Sequence, residues 1–570
     1  MGGALRPACS PHPAHPVGRK APPTDKCRLA ALRGGTNLAA VVSPRPAPLR
    51  NFRGLVLGLA LAAILVPLAM HLVTDQVWED FFITYRHCEN VVRGDGLVYQ
   101  PGERVHGFTS PLNVLLPALF HALQPDGDHR LPLWGFTLCS LAILGLGVAV
   151  FARTRLDADA PDRPREAALL VLLLLLQTKL TAFSTNGQEA GFWAGFLLLA
   201  LAAVDRGLAA HWRAGGLALA GLMWTRPDSP VHIAGLAVAA LVFPVGSRRE
   251  TFPGLLKAGA LCAALYLPWF AWTWSYYGSP VPHTILAKMD AYGPGGGALG
   301  WLRQWPAALA RAFEPIYAEA GDWPGWLHAI TLVVGTVCAV TCVAPLKAIE
   351  PATRRASLVF VVAAAYLAVI GNNGFMFPWY FVPCGVAGAV VLAQLLNRLP
   401  RPGLLLALLP LVLALGYGTA NSLVQLRVQQ RIVEGQTRRP LGQWLQAHMQ
   451  PEETVFLEPI GYIGYYSRRH VLDWPGLVSP SVVRARRETG GDIWRTIARL
   501  QPDWLVFRPR EAAQFAQRAD LARGYQPTAK VDNLPQLQPY RALPGYAYLS
   551  SDAVFIVYQR RKAAPGNALP

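Results

Sequence analysis

Two adjacent carboxylates, Glu79 and Asp80, follow a membrane-length apolar run and open the stretch WEDFFITYRHCENVVRGDGLVYQPGERVHGFTSPLN at 78–113. Beside a bilayer and partly withdrawn from water, such a pair can act as a general base on a hydroxyl, because desolvation raises a carboxyl pKa. The same acids can also cap the helix that follows. Further polar groups lie in short motifs: Glu189 in STNGQE (184–189), Arg226 and Asp228 in TRPD (225–228), Tyr277, His283 and Lys288 in YYGSPVPHTILAK (276–288), and Tyr380 in NNGFMFPWYF (372–381). Arginine offers planar paired donors to phosphate oxygens, so Arg226 is the first candidate to hold a phosphate, with Lys288, His283 and Arg86 behind it. Alternatively, Arg226 reaches the interface and pairs only with Asp228. Glu189 can orient a substrate or cap a helix. Tyr277 and Tyr380 can stack on a substrate ring or belong to an interfacial aromatic belt. No second ligand stands at helical spacing from His283, so no metal site is read.

The elements that must position these groups are membrane helices. Of the 570 residues, 52% are hydrophobic and only 15% charged, and the mean hydropathy is +0.28. That composition describes a polytopic membrane protein carrying some soluble mass. A net charge of +18 raises nucleic acid as a partner. The basic residues nevertheless stand in short clusters between apolar runs, which is the pattern that orients membrane helices, and no nucleic-acid surface is expected. The eight cysteines lie mostly inside apolar runs and spell neither a metal site nor a disulfide framework.

Residues 1–50 hold eight Lys/Arg against the single acid Asp25 and no signal-peptide core. They read as a disordered cytoplasmic tail or an over-extended start. Eleven spans are expected, near 55–73, 132–152, 167–182, 189–205, 213–225, 229–245, 253–273, 326–346, 356–371, 379–397 and 403–421. The run Pro111–Leu123, 13 residues long, is too short to cross and is read as a surface helix. With that choice, Arg153, Arg155, Arg163 and Arg165 and all later basic loops fall on the cytoplasmic side. The loops 74–131, 183–188, 226–228, 274–325 and 372–378 fall outside, along with everything after about 422. These outer loops hold nearly all the conspicuous motifs. A transporter would place its ionisable groups at the midplane of repeated, broken helices, so the clustering at one face favours an enzyme.

The tail has a soluble composition. RIVEGQTRRPLGQWLQAHM reads as an amphipathic helix and DWLVF and AVFIVYQ as buried strands, while GYIGYYS reads as a structural strand and turn or as part of a tail surface that binds an acceptor or shapes the rim of the site. The organisation expected is therefore a tail (1–50), a membrane domain (51–422) and an extracytoplasmic α/β domain (423–570). DAYGPGGGALG at 290–300 reads as a connector inside the long outer loop.

The segment EDFFITYRHCENVVRGDGLVYQPGERVHGFTSPL resembles the first outer loop of bacterial membrane glycosyltransferases similar to the mycobacterial terminal β-(1→2)-arabinofuranosyltransferase. The likeness continues through QE (188–189), RPD (226–228), YYGSPVPHT (276–284), WYFVP (379–383) and IGYIGYYSRRHVLDWPGLVSP. It implies the C-type glycosyltransferase fold and a site at the outer face of the bacterial inner membrane. The donor would be a polyprenyl-phosphate sugar, and the acceptor an envelope glycan or glycolipid. It also implies inversion at the anomeric carbon, with Glu79 or Asp80 as base and no cofactor required; a divalent cation is compatible with this chemistry but not indicated. One departure concerns the first acidic position, commonly Asp in the family and Glu79 here. The rival readings are a lipid-linked sugar flippase or other transporter, which internal inverted repeats would support, and a non-catalytic membrane scaffold.

Overall fold

The computed structural model describes residues 52–157, 163–293, 297, 299–318, 321–372 and 376–561. The expected N-terminal tail and the middle of the glycine-rich connector lie outside the described residues. Every expected apolar run falls on a helix. In chain order these are α1 (Arg53–Thr74), α2 (Glu79–Arg93), α3 (Pro111–Ala122), α4 (Arg130–Leu156), α5 (Arg163–Leu175), α6 (Thr178–Phe183), α7 (Ala190–Asp205), α8 (Leu208–Thr225) and α9 (Ser229–Val242). They continue as α10 (Arg248–Tyr277), α11 (His283–Tyr292), α12 (Gly300–Arg311), α13 (Gly325–Val340), α14 (Pro351–Gly371), α15 (Val382–Leu396), α16 (Arg401–Val428) and α17 (Arg439–His448).

Among the described residues, six helical stretches are long and apolar enough to cross a bilayer, against the eleven spans expected. The difference lies in length. The run 167–182 is divided between α5 and α6 at Leu176 and Gln177, and α7, α9 and α13 are apolar but short. Between apolar helices in lipid there is little hydrophobic drive, so close packing must come from small residues. The crossing of α4 and α7 does this: a Cβ on Gly147 would stand 2.5 Å from the Gly195 carbonyl oxygen.

After α16 the helix does not end. It widens into a π-helical stretch, Gln429–Arg438, and continues as α17. Beyond it a five-stranded sheet forms from β1 (Thr454–Leu457), β2 (His470–Asp473), β3 (Trp504–Phe507), β4 (Tyr525–Asp532) and β5 (Val554–Arg560), in the order β2-β1-β3-β5-β4. β1 runs parallel to β2 and β3, while β5 pairs antiparallel with β3 and β4. Period-two alternation divides the side chains between two faces. Phe456, Leu505 and Phe507 pack under the helices Pro480–Glu488, Ile493–Leu500 and Pro509–Ala516. Val455, Leu457, Trp504 and Val506 share their core with Leu441 and Leu445 of α17 and with Ile83 and Tyr99 of the first loop. The helix carrying the carboxylate pair thus packs on one face of the C-terminal sheet.

Candidate active site

α2 begins at Glu79, so both acids sit in its first turn, where the helix dipole favours negative charge. Neither caps the helix through its side chain. They open instead on a cavity of about 530 Å3 whose wall includes Trp78, Lys288, Arg311, Trp379, Arg438 and Arg508. Asp80 and Lys288 also face a smaller adjoining pocket of about 70 Å3, shared with Asn113, Glu189, Arg226 and Tyr380. Asp80 and Lys288 therefore form part of the wall common to both spaces.

Glu79 is held in place by the C-terminal domain: the Gly461 backbone N–H donates to its Oε1. That approach requires glycine, since a Cβ at 461 would stand 2.1 Å from the Glu79 carbonyl oxygen and 2.6 Å from its carboxyl carbon. Burial drives the Glu79 carboxyl well above the ordinary range; the Arg438 charge opposes this and the neighbouring Asp80 adds to it. Asp80 is also raised, again first by burial. Lys288 acts to lower it and Glu189 to raise it further. Both groups are only half-buried by surface, because each keeps a face on the cavity while protein surrounds the rest.

Lys288 lies on α11 with Nζ 4.7 Å above the Phe377 ring, and among the described residues it has no hydrogen bond or ion pair. The other cations of the main cavity are mostly committed. Arg438 donates to Glu434 Oε1 at 2.7 Å and pairs with Asp552. Arg508 pairs with Asp552 and lies 2.5 Å from Glu458 and 3.4 Å from Glu511. Burial alone would raise the Asp552 carboxyl, but these two arginines outweigh it and hold it down at about 2. Aromatic rings complete the wall: Phe377 stacks on Trp379 at 4.9 Å, and Tyr317 stacks on Tyr548 at 4.2 Å.

The remaining expected residues divide into two groups. Arg226 is buried at the end of α8, donating to Glu189 Oε1 at 2.6 Å and to Asp228 Oδ1 at 2.8 Å, between the rings of Trp193 and Tyr380. Three of its five N–H donors are thus directed at carboxylates, and Arg226 still lines the smaller pocket. Asp228 stands behind it and accepts from the Tyr366 hydroxyl at 3.4 Å. Arg86, Tyr277 and His283 line neither space. Arg86 donates to the carbonyls of Gly464 at 2.7 Å and Arg469 at 3.1 Å, tying α2 to the C-terminal domain. The Tyr277 hydroxyl donates to the Leu97 carbonyl at 2.6 Å, and the His283 backbone N–H donates to the His106 carbonyl at 3.0 Å. Arg86 and Tyr277 thus spend side-chain donors, and His283 its backbone N–H, in fastening the first loop, while Nε2 of the His283 ring is buried with no partner among the described residues.

Sequence reasoning missed Arg438, Glu458, Arg508 and Asp552, all supplied by the C-terminal domain. The i,i+4 pair Glu434 and Arg438, on one face of a helix otherwise rich in solvated charge, was the available signal. Asp552, in SSDAVF, gave none.

The fold has solved counterparts. ArnT from Cupriavidus metallidurans bound to undecaprenyl phosphate is 12% identical, with a TM-score of 0.53 over 90% of this chain and 99% of that one. Its apo state gives 13% and 0.53, over 89% and 98%. The archaeal oligosaccharyltransferase AglB from Archaeoglobus fulgidus, in complex with an inhibitory peptide and a dolichol-phosphate, gives 13% and 0.51, over 88% and 78%. The chain shares the fold of these solved structures. A family model described as a domain of unknown function (DUF8728) matches residues 426–556, the part that closes the cavity. No curated protein matches the sequence.

Proposed function

We propose that this chain is a membrane glycosyltransferase that moves a sugar from a polyprenyl-phosphate donor to a hydroxyl of an envelope glycan or glycolipid. The reaction takes place at the outer face of the bacterial inner membrane. Residues 51–422 form the membrane domain, and 423–570 stand on the periplasmic side, with the N-terminus cytoplasmic. The observation that carries the reading is the shared wall of the two cavities, where a carboxylate of raised pKa faces an ammonium with no ion pair of its own.

In this scheme the acceptor oxygen attacks the anomeric carbon while its proton passes to the Asp80 carboxylate. The anomeric bond to phosphate breaks on the opposite side, so configuration inverts. Polyprenyl phosphate departs with its new charge against Lys288, which takes the part expected of Arg226. Arg226 fixes Glu189 and Asp228 beside the smaller pocket. Glu79, anchored by Gly461, keeps a carboxyl of strongly raised pKa beside Asp80, and its side-chain hydrogen bond to Asp80 favours the ionised form of that base. The aromatic wall offers faces on which a sugar ring can stack. The scheme requires no cofactor and is compatible with a divalent cation. An arabinofuranosyl donor is the finer proposal, resting on the first-loop motif.

The test is transfer by the purified full chain from a panel of polyprenyl-phosphate pentoses and hexoses. At least one donor should support transfer, and Asp80→Asn should reduce it by about 10²–10⁴-fold. Undiminished transfer in both Asp80→Asn and Glu79→Gln would sink the mechanism, and no transfer from any donor would sink the activity.

A further inference from the structure

At the opposite end of the bundle, α5, α15 and the start of α16 enclose a separate cavity of about 560 Å3. The 19 helical residues Pro378–Leu396 lead from the reaction cavity to this one. They span roughly 28 Å at about 1.5 Å per residue, close to the thickness of a bilayer core.

Arginine dominates its wall. Arg163, Arg165, Arg398 and Arg401 face it, against Glu166 and Glu350. Those glutamates are already neutralised: Arg155 reaches them at 2.6 and 2.8 Å, and Arg163 at 2.5 and 2.9 Å. Arg398 adds a weaker contact to Glu350 at 3.2 Å, Arg165 is bound only to Asn397, and Arg401 has no hydrogen bond or ion pair among the described residues. Positive charge is left over.

A second observation points to a ligand. Gln394 lines the same cavity and is only 3% exposed, yet neither its amide nitrogen nor its amide oxygen has a partner, and Nε of Arg163 has none either. Buried amides are rarely left in that state. The missing partner must offer an acceptor to the Gln394 NH2 and to arginine, and a donor to the Gln394 carbonyl. From the cavity mouth, Leu405, Leu406, Leu409 and Leu413 run exposed along α16.

We infer that this cavity binds the phosphate of an anionic membrane lipid whose headgroup carries a hydroxyl, of the phosphatidylglycerol class. Arginines take the phosphate oxygens, Gln394 bridges phosphate and hydroxyl, and the acyl chains follow the leucine stripe. Basic loops at this end would face the cytoplasmic leaflet, where anionic headgroups concentrate. The site is independent of the proposed reaction and stands if that reading fails.

The test uses the full chain, delipidated in detergent, with lipid retention read by native mass spectrometry and thermal stability followed in parallel. Phosphatidylglycerol, phosphatidylcholine and inorganic phosphate are the probes. Wild type should retain phosphatidylglycerol over phosphatidylcholine, and the Arg398→Gln/Arg401→Gln double variant should bind it at least about tenfold more weakly. Gln394→Leu, which removes the orphaned amide, should fold with an unreduced Tm and lose the preference. Equal retention of the two lipids by wild type, or of phosphatidylglycerol by all three proteins, overturns the site. Stabilisation by inorganic phosphate, with no lipid preference, overturns the lipid and assigns a soluble anion.

Discussion

At the scale of single residues, the raised carboxyl of Asp80 has two consequences of opposite sign. As a base it works only when ionised, so transfer should rise with pH through a value above the ordinary 3.8. For folding the same shift acts in reverse. A carboxyl whose pKa is higher in the folded state contributes stability below its unfolded pKa and loses that contribution as pH rises through the folded one. Asp80→Asn should therefore abolish the acidic limb of the pH–rate profile and melt no lower than wild type at neutral pH, a pairing that a merely disruptive substitution would not give. Lys288 has its own signature. Lys288→Met should lower kcat by about 10²-fold, as loss of a transition-state charge contact does, while Lys288→Arg retains part of the rate. Equal rates in wild type and Lys288→Met would exclude its phosphate contact.

Among the elements, the joint between α2 and the turn at Ile460–Gly464 governs the site. A methyl group at 461 would collide with the Glu79 backbone and carboxyl. Gly461→Ala should cost about 1–3 kcal/mol of stability, as overpacking does, and slow transfer at least about tenfold. Denaturant unfolding and transfer assays measure the two effects. The GYIGYYS segment shows where legibility ends. Its glycines and aromatics read as a strand and turn, but the chain forms a helical turn there, because Tyr462 and Tyr465 pack on Phe82 at 4.4 and 5.0 Å. That partner is nearly four hundred residues away in sequence, and no local pattern announces it. The buried strands DWLVF and AVFIVYQ, in contrast, carry their own signal and appear as β3 and β5. β4, an exposed edge strand interrupted by Pro527, carries no such signal. The carboxylate pair and Lys288 stand out in the sequence, and the structure brings them to one cavity wall. Which arginines were already spent on carboxylates was not, since ion-pair partners are fixed by tertiary contact alone.

For the molecule as a whole, the main cavity is a joint product of bundle and C-terminal domain, with Asp552 set between Arg438 and Arg508. Asp552→Asn leaves the buried Arg438 and the partly buried Arg508 each short of a partner and should cost about 3 kcal/mol. Asp552 sits at about 2 against an ordinary 3.8, so its contribution is complete above 3.8 and disappears as pH falls toward 2. The gap in Tm between wild type and variant should close over that interval; a gap unchanged from neutral pH down to 2 would mean the ion pairs contribute nothing.

The helix running without a break from Arg401 to His448 has a mechanical corollary. A continuous rod rooted among the apolar helices cannot let the sheet swing aside like a lid on a slack tether. Any tilt of the C-terminal cap must be matched by bending of the rod, and its widened π-helical turns, which also carry Glu434 and Arg438, are the compliant place. Flexing there would move those two charges relative to Glu79, so the opening of the cavity and the protonation of the carboxylate pair would be geared together.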